Sequence, residues 1–167
     1  MNIIVAMDEK TRGIGKSGDL LTYLRPDMQF FRRTTKGKTV VMGHSTFLSL
    51  PGAQPLKDRR NIVLSRNPDL MIEGAEVVHS IDAAIDLLKD TPADDIFIIG
   101  GQTLYEQFLG YCDRAYVTKY TRPDPVVPDK FFPDLDANPD WRCVSVSDDA
   151  EFEGIKYRFT TYRRGDL

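Results

Sequence analysis

Ile96-Phe97-Ile98-Ile99-Gly100-Gly101-Gln102-Thr103-Leu104-Tyr105 is the stretch on which the fold turns. Four apolar residues in a row, three of them β-branched, read as a strand covered on both faces. Two glycines follow directly. A helical pattern then begins, with Leu104, Phe108 and Leu109 on one stripe. A central strand that passes into a helix through Gly-Gly aims bare backbone N–H groups at a cleft, with the positive end of the helix dipole behind them. In an open α/β sheet that is a place for a phosphorylated ligand. A tight strand-to-helix turn without a ligand is the plainer alternative.

Short apolar runs flank this centre. Asn2–Met7, Thr39–Met42 (closed by Gly43), Asn61–Leu64, Glu76–Val78 and Arg114–Tyr120 read as strands. Pro26 suits the first turn of a helix running to about Thr35, and His44–Ser49 a short helix. Ser80–Lys89 is a helix with Ser80 as N-cap and Ile81, Ala84, Ile85 and Leu88 at helical spacing. Asp8–Gly18, Pro51–Arg60 and the proline-bearing Pro123–Pro133 read as loops. Arg142–Ser147 and Ile155–Arg163 alternate around Glu153-Gly154 as an antiparallel hairpin. The expectation is an α/β fold with one domain over residues 1–167. Its central sheet is mostly parallel, with the C-terminal hairpin antiparallel at one edge and about four helices flanking it.

The chain of 167 residues is long enough to bury a core without a metal or disulfide staple. Its 41% hydrophobic and 28% charged content is ordinary for a globular protein. A net charge of −3 argues against nucleic acid or an anionic membrane as the main partner. Cys112 and Cys143 are isolated, and only His44 and His79 accompany them, so no metal site is expected. Nothing reads as a signal peptide or a membrane span, which makes the cytoplasm the expected address and a monomer the expected state.

Gly13-Ile14-Gly15-Lys16-Ser17-Gly18 matches G-x-G-x-x-G, but five polar residues separate it from Met7 and no helix follows it closely. Gly15-Lys16-Ser17 lacks the earlier glycine of a P-loop, since position 10 is Lys10. A mobile glycine-rich loop remains, of the kind that can act as a lid. Asp27 lies on the stripe of Met28, Phe31 and Thr35, which is expected to face the core. It either complements the helix dipole or is a carboxylate in an apolar wall, suited to proton exchange or to a cationic ligand. Gly43-His44-Ser45-Thr46, Ser65-Arg66-Asn67 and Gly100-Gly101-Gln102-Thr103 each follow a parallel-type strand, so they share one edge of the sheet. Their hydroxyls, N–H groups and guanidinium suit several phosphates. No acid ends Asn61–Leu64; Ser65 and Arg66 stand there instead, which favours a 2′-phosphate and hence NADPH.

With those residues laid out, the chain resembles dihydrofolate reductase over nearly all its length. The likeness covers IVAM in the first strand, IG at Ile14-Gly15, and L-x-x-D-M-x-F-F-R-R-x-T from Leu24 to Thr35. It continues with K-x-V-V-M-G from Lys38 to Gly43, T-F at Thr46-Phe47, R-x-N-I-V-L-S from Arg59 to Ser65, and I-I-G-G-x-x-L-Y-E-Q-F-L from Ile98 to Leu109. V-T at Val117-Thr118 and F-P at Phe132-Pro133 complete it. The resemblance implies NADPH-dependent reduction of 7,8-dihydrofolate, with antifolates as further ligands. It implies catalytic positions at Asp27, Leu20, Thr22 and Thr118. Asp27 would bind the pterin 2-amino group and N3 and support protonation at N5, with Thr118 helping to hold that arrangement. Val5, Ala6, Met28, Phe31, Leu50 and Ile99 would wall the substrate, with Tyr105 also at its site. Arg59 would bind the glutamate α-carboxylate. Cofactor contacts are implied at Met7, Ile14, Gly15, Gly18, Asp19, Leu20, Gly43, His44, Ser45, Thr46, Ser65, Arg66, His79, Ile99, Gly100, Gly101, Gln102, Thr103, Leu104 and Tyr105. The Ile14–Leu20 loop would close over the nicotinamide. His79 reads equally well as a surface histidine.

The family usually has tryptophan where Thr22 stands and proline where Leu21 stands. His44 replaces a frequent arginine, Lys57-Asp58 the usual Pro-Gly, and Gln102 a frequent third glycine. These departures bear on rate and affinity more than on reaction type. At Thr22 the lost volume is expected to be filled by water or by Leu21 and Tyr23. Two rivals remain: a pyrimidine reductase of riboflavin synthesis, against which the Asp27–Phe31 pattern argues, and a non-catalytic pterin- or nucleotide-binding module.

Overall fold

The computed structural model describes residues 1–165. The chain runs β1 (Asn2–Asp8), β2 (Gly13–Lys16), β3 (Asp19–Leu20), α1 (Arg25–Thr35), β4 (Thr39–Gly43), α2 (His44–Ser49), β5 (Arg60–Leu64), β6 (Glu76–Val78) and α3 (Ile81–Leu87). It continues through β7 (Ile96–Gly100), α4 (Gln102–Phe108), β8 (Arg114–Thr121), β9 (Lys130–Phe131), β10 (Trp141–Val146), β11 (Ala150–Phe152) and β12 (Ile155–Arg164). The main sheet is ordered β10-β12-β8-β1-β7-β4-β5-β6. From β8 to β6 every pairing is parallel, while β12 pairs antiparallel with β8, β10 and β11. Among the described residues this is the expected α/β fold, with a mostly parallel sheet and four α-helices.

Strand parity divides the core. Ile3, Val5, Met7, Val41, Ile62 and Ile98 pack with α3 and α4 through Ala84, Leu88, Leu104 and Phe108. Ile4, Val40, Met42, Val63 and Phe97 pack on the other face with Phe47, and Phe30, Phe31 and Leu50 lie against them. The chain passes from β1 to β4, builds outward to β6, and returns to insert β7 between β1 and β4. Gly100-Gly101 therefore ends the middle strand, at the carboxyl edge where such sheets bind ligands.

Three expectations change. Asp8–Gly18 is more than a loop: β2 begins at Gly13, and with β3 and β9 it builds a second sheet ordered β3-β2-β9. Its strands pair through main-chain hydrogen bonds between distant segments, which no apolar alternation announces. Lys130–Phe131 is correspondingly a strand inside the proline-bearing segment. The C-terminal hairpin is a three-strand arrangement, because β10 and β11 both pair with β12 and only β11 meets it across the Glu153-Gly154 turn.

Candidate active site

Pro26 sits in the first turn of α1, where its missing N–H has no helical partner to lose. Asp27 follows in the same turn. Its Oδ1 accepts a 2.6 Å hydrogen bond from the Thr118 hydroxyl on β8. Thr118 is paired with Ala6 of β1, so α1, β1 and β8 meet at this carboxyl group. Burial holds the Asp27 pKa above the usual carboxylate range, and the Thr118 bond works against that rise. The α1 stripe faces the core as expected through Thr35, which is buried, and Phe31, which packs on the core cluster with Leu50 and Ile99, while Met28 at its start is exposed. Val5 departs from this set, since its side chain lies in the opposite core and only its main chain can serve the α1 side.

Arg59 lies at the outer end of that stripe. Its Nη1 donates to the Thr35 hydroxyl at 3.1 Å and its Nε to the Lys57 carbonyl at 2.9 Å, while its guanidinium stands 5.9 Å from the Phe31 ring centroid. Burial and then the neighbouring Arg32 charge lower its pKa from the usual value, against a smaller opposing pull from Asp58. It forms no ion pair with a carboxylate among the described residues. A half-buried cation without an anion is a ready site for a ligand carboxylate.

The carboxyl ends of β4, β5 and β7 converge beside it. Met42 is paired with Gly100, and a Cβ placed on Gly43 would lie 3.9 Å from the Gly100 carbonyl oxygen. The starts of α2 and α4, at Gly43 and Gly101, carry no side-chain cap, so their first N–H groups are free for an acceptor. Thr46 faces both glycines of the turn. Ser65 and the exposed Arg66 follow β5, and His79 Nδ1 lies 2.9 Å from the Ser65 carbonyl oxygen. His44 and Ser45 open α2. Leu104 and Tyr105 do not border this cleft openly: both are buried, and the Tyr105 hydroxyl donates to the Ile4 carbonyl at 2.8 Å. Met7 is likewise a core residue.

Gly100 has φ +131°, a conformation that side-chain-bearing residues rarely adopt, and an added Cβ would stand 3.4 Å from Thr46 Oγ1 and 3.5 Å from the Tyr105 hydroxyl. Gly100→Ala is expected to unfold about 1–3 kcal/mol more easily in denaturant. An unchanged midpoint would show that the turn tolerates a side chain.

Across the cleft stands the β2–β3 segment. Ile14 packs against the core, while Gly18, Asp19 and Leu20 are exposed. Besides its pairing with β9, one residue the sequence did not single out bonds it twice. The Asp129 N–H donates to the Gly15 carbonyl, and Asp129 Oδ2 accepts from the Ser17 N–H, each at 2.9 Å. Thr22 is buried, and its surroundings differ from expectation. Leu21 is buried beside it, but Tyr23 is exposed and bonds Asp19. Arg122 also reaches this place: its Nη1 donates to Thr22 Oγ1 at 3.0 Å and to the Leu21 carbonyl at 3.2 Å. Asp129 and Arg122 lie in a proline-bearing segment with no periodicity, so no local signal marks either.

A desolvated carboxylate on one wall and uncapped, glycine-rich strand ends on the other define an α/β protein with a candidate site at the carboxyl edge of its parallel sheet. A model of the dihydrofolate reductase family matches residues 1–164. The dihydrofolate reductase of Staphylococcus haemolyticus is 36% identical over 171 residues, spanning 98% of this chain and 95% of that protein. The dihydrofolate reductase of Bacillus subtilis is 34% identical over 166 residues, covering 98% and 94%. A solved Enterococcus faecalis dihydrofolate reductase, complexed with NADP(H) and RAB-propyl, superposes with a TM-score of 0.83 at 31% identity, covering 99% of this chain and 96% of that one. The chain belongs to the dihydrofolate reductase family.

Proposed function

We propose that the chain reduces 7,8-dihydrofolate to tetrahydrofolate with NADPH, using Asp27 as its acid-side carboxylate. The observation that carries the residue assignment is the 2.6 Å bond from Thr118 to a desolvated Asp27. The strand ends fit NADPH: Gly43, Gly100 and Gly101 leave room where a Cβ would intrude, and the starts of α2 and α4 offer unclaimed N–H groups. When bound there, NADPH supplies the hydride. The chain does the rest. Asp27 accepts hydrogen bonds from the 2-amino and N3 positions of the pterin and keeps the local field negative, which favours a proton at N5. Thr118 fixes the carboxylate's orientation. Met28, Phe31, Leu50, Ile99 and Ala6 exclude water from the ring, and Arg59 takes the glutamate α-carboxylate. Ser45, Thr46, Ser65, Arg66, His44 and His79 surround the phosphate and adenine side, with Thr103 at the α4 start. Ile14, Gly15, Gly18, Asp19 and Leu20 close over the nicotinamide. Steady loss of NADPH absorbance that requires dihydrofolate tests the reading; binding without turnover would leave only a binding module.

The cofactor assignment makes its own prediction. No carboxylate ends β5, and Arg66 is exposed there to meet a phosphate. NADPH is expected to exceed NADH in kcat/KM, and Arg66→Ala to shrink that ratio about tenfold. Equal efficiency with both cofactors in the unmutated protein would sink the assignment.

Antifolates that present a protonated, amino-substituted ring are expected to pair with Asp27. We place the protein in the cytoplasm as a monomer: Cys112 and Cys143 are free thiols, and the candidate site is assembled from one chain. Among the described residues no helix is long and apolar enough to cross a membrane.

A further inference from the structure

Gln102 opens α4, directly after the Gly100-Gly101 turn. Its main-chain N–H belongs to the uncapped helix start, but its side chain leaves the cleft. Gln102 Oε1 accepts from the Phe131 N–H at 2.8 Å, and Nε2 donates to Glu106 Oε1 at 3.0 Å, one helical turn on. The two partners fix the amide's orientation, because a main-chain N–H can only donate and a carboxylate can only accept. Phe131 lies in β9, the edge strand of the β3-β2-β9 sheet, and is register-paired with Gly13 of β2. The neighbouring Phe132 N–H points the other way, to the Arg12 carbonyl at 2.9 Å. Phe131 therefore presents its N–H outward from the small sheet, and Gln102 meets it. One residue later the Phe132 ring packs edge-on against Tyr105 of α4, with centroids 5.2 Å apart.

We infer that Gln102 is a positioning residue that couples the cofactor turn to the lid by gripping the outer edge of β9. The inference rests on the reading that Gly100–Tyr105 holds NADPH and that β2–β3 is the lid over it. A shift of the turn on loading moves the Gln102 Cα, and the acceptor seen by β9 moves with it. β9 passes the displacement to β2 through their shared ladder. The Glu106 bond holds the side chain ready, so that little rotamer freedom is lost in making the contact. A glycine at this position would have no side chain to make the link.

Hydrogen exchange at the Phe131 amide tests this, with and without NADPH. In the parent protein Phe131 is expected to be protected, and NADPH to add to that protection. Gln102→Met keeps the volume and helix propensity but removes the acceptor. It should speed Phe131 exchange about fivefold and abolish most of the NADPH-dependent increment, while NADP⁺ leaves about fivefold faster. The double variant Gln102→Glu/Glu106→Gln keeps an acceptor at 102 and a donor at 106, and should restore both the protection and the increment. A merely structural role for Gln102 would restore the protection alone, without the NADPH-dependent increment or the change in NADP⁺ release. If the parent binds NADPH in a fluorescence titration yet Phe131 exchange ignores Gln102→Met, the coupling is overturned and the cofactor reading stands. If Gln102 protects Phe131 but the parent binds no NADPH, the cofactor reading falls and takes the coupling with it.

Discussion

Asp27→Asn is expected to lose between about 10²- and 10⁴-fold in hydride transfer at neutral pH, the range by which a positioned acid or base accelerates a reaction. The substitution preserves shape and leaves the Thr118 hydroxyl an amide oxygen to donate to. What disappears is the negative charge that favours a proton on the pterin. The loss should shrink in acid, where dihydrofolate arrives already protonated. In the unmutated enzyme the rate should fall as pH rises and N5 of the bound pterin loses its proton, while burial, which raises the Asp27 pKa, sets how far into acid the carboxylate keeps its charge. The same burial has a stability consequence of definite sign. Within the pH window between the unfolded and folded pKa values, the folded chain retains a proton that the unfolded chain has released. Stability therefore declines as pH rises through that window, and the penalty is complete above the folded pKa. Asp27→Asn removes the penalty, so the variant should be more stable than the parent at neutral pH. That advantage should vanish below about pH 4, near the unfolded carboxylate pKa. Single-turnover rates and denaturant midpoints across pH check both halves. A variant with near-normal neutral turnover would remove Asp27 from the chemistry.

Arg59→Leu should weaken dihydrofolate by about 30- to 1000-fold in KM, the effect of leaving one partner of a charge-assisted pair unmatched. Arg59 is half-buried, lies against Phe31, and feels the Arg32 charge more strongly than that of Asp58. The contact is remote from the pterin, so kcat should change far less than KM. A pterin lacking the glutamate tail should be reduced by parent and variant alike. Equal losses for both substrates would assign Arg59 to support of α1 through its Thr35 bond.

The parallel core was legible because buried parallel strands are continuous apolar runs, and β1, β4, β5 and β7 are such runs. The Gly-Gly exit from β7 then marked the carboxyl edge of the sheet. Asp27 was legible by its place next to Pro26 in an amphipathic helix. Two misplacements have different causes. Val5 and Ala6 are adjacent in a strand and must point to opposite faces, so the placing of Val5 in the other core was already implied by period-2 alternation. The small sheet was not implied by anything local: β2 is Gly-Ile-Gly-Lys, β3 and β9 are two residues each, and their pairing joins distant segments. For the same reason Arg122 could not be matched to Thr22, nor Asp129 to Ser17, since each pair is made by a loop whose path no pattern records.

The position of β12 bears on how the protein is made. β12 follows every other described strand in the chain, yet in space it is interior, seated between β8 and β10. A ribosome delivering about 5–20 residues per second needs on the order of ten seconds to reach Arg164. Until then β8 has an open edge, and β10 and β11 have no strand to pair with. The nascent chain thus carries an unsatisfied β-edge from the completion of β8 at Thr121 until β12 is made, a template for pairing with other chains. Its sheet closes only after translation has passed that point.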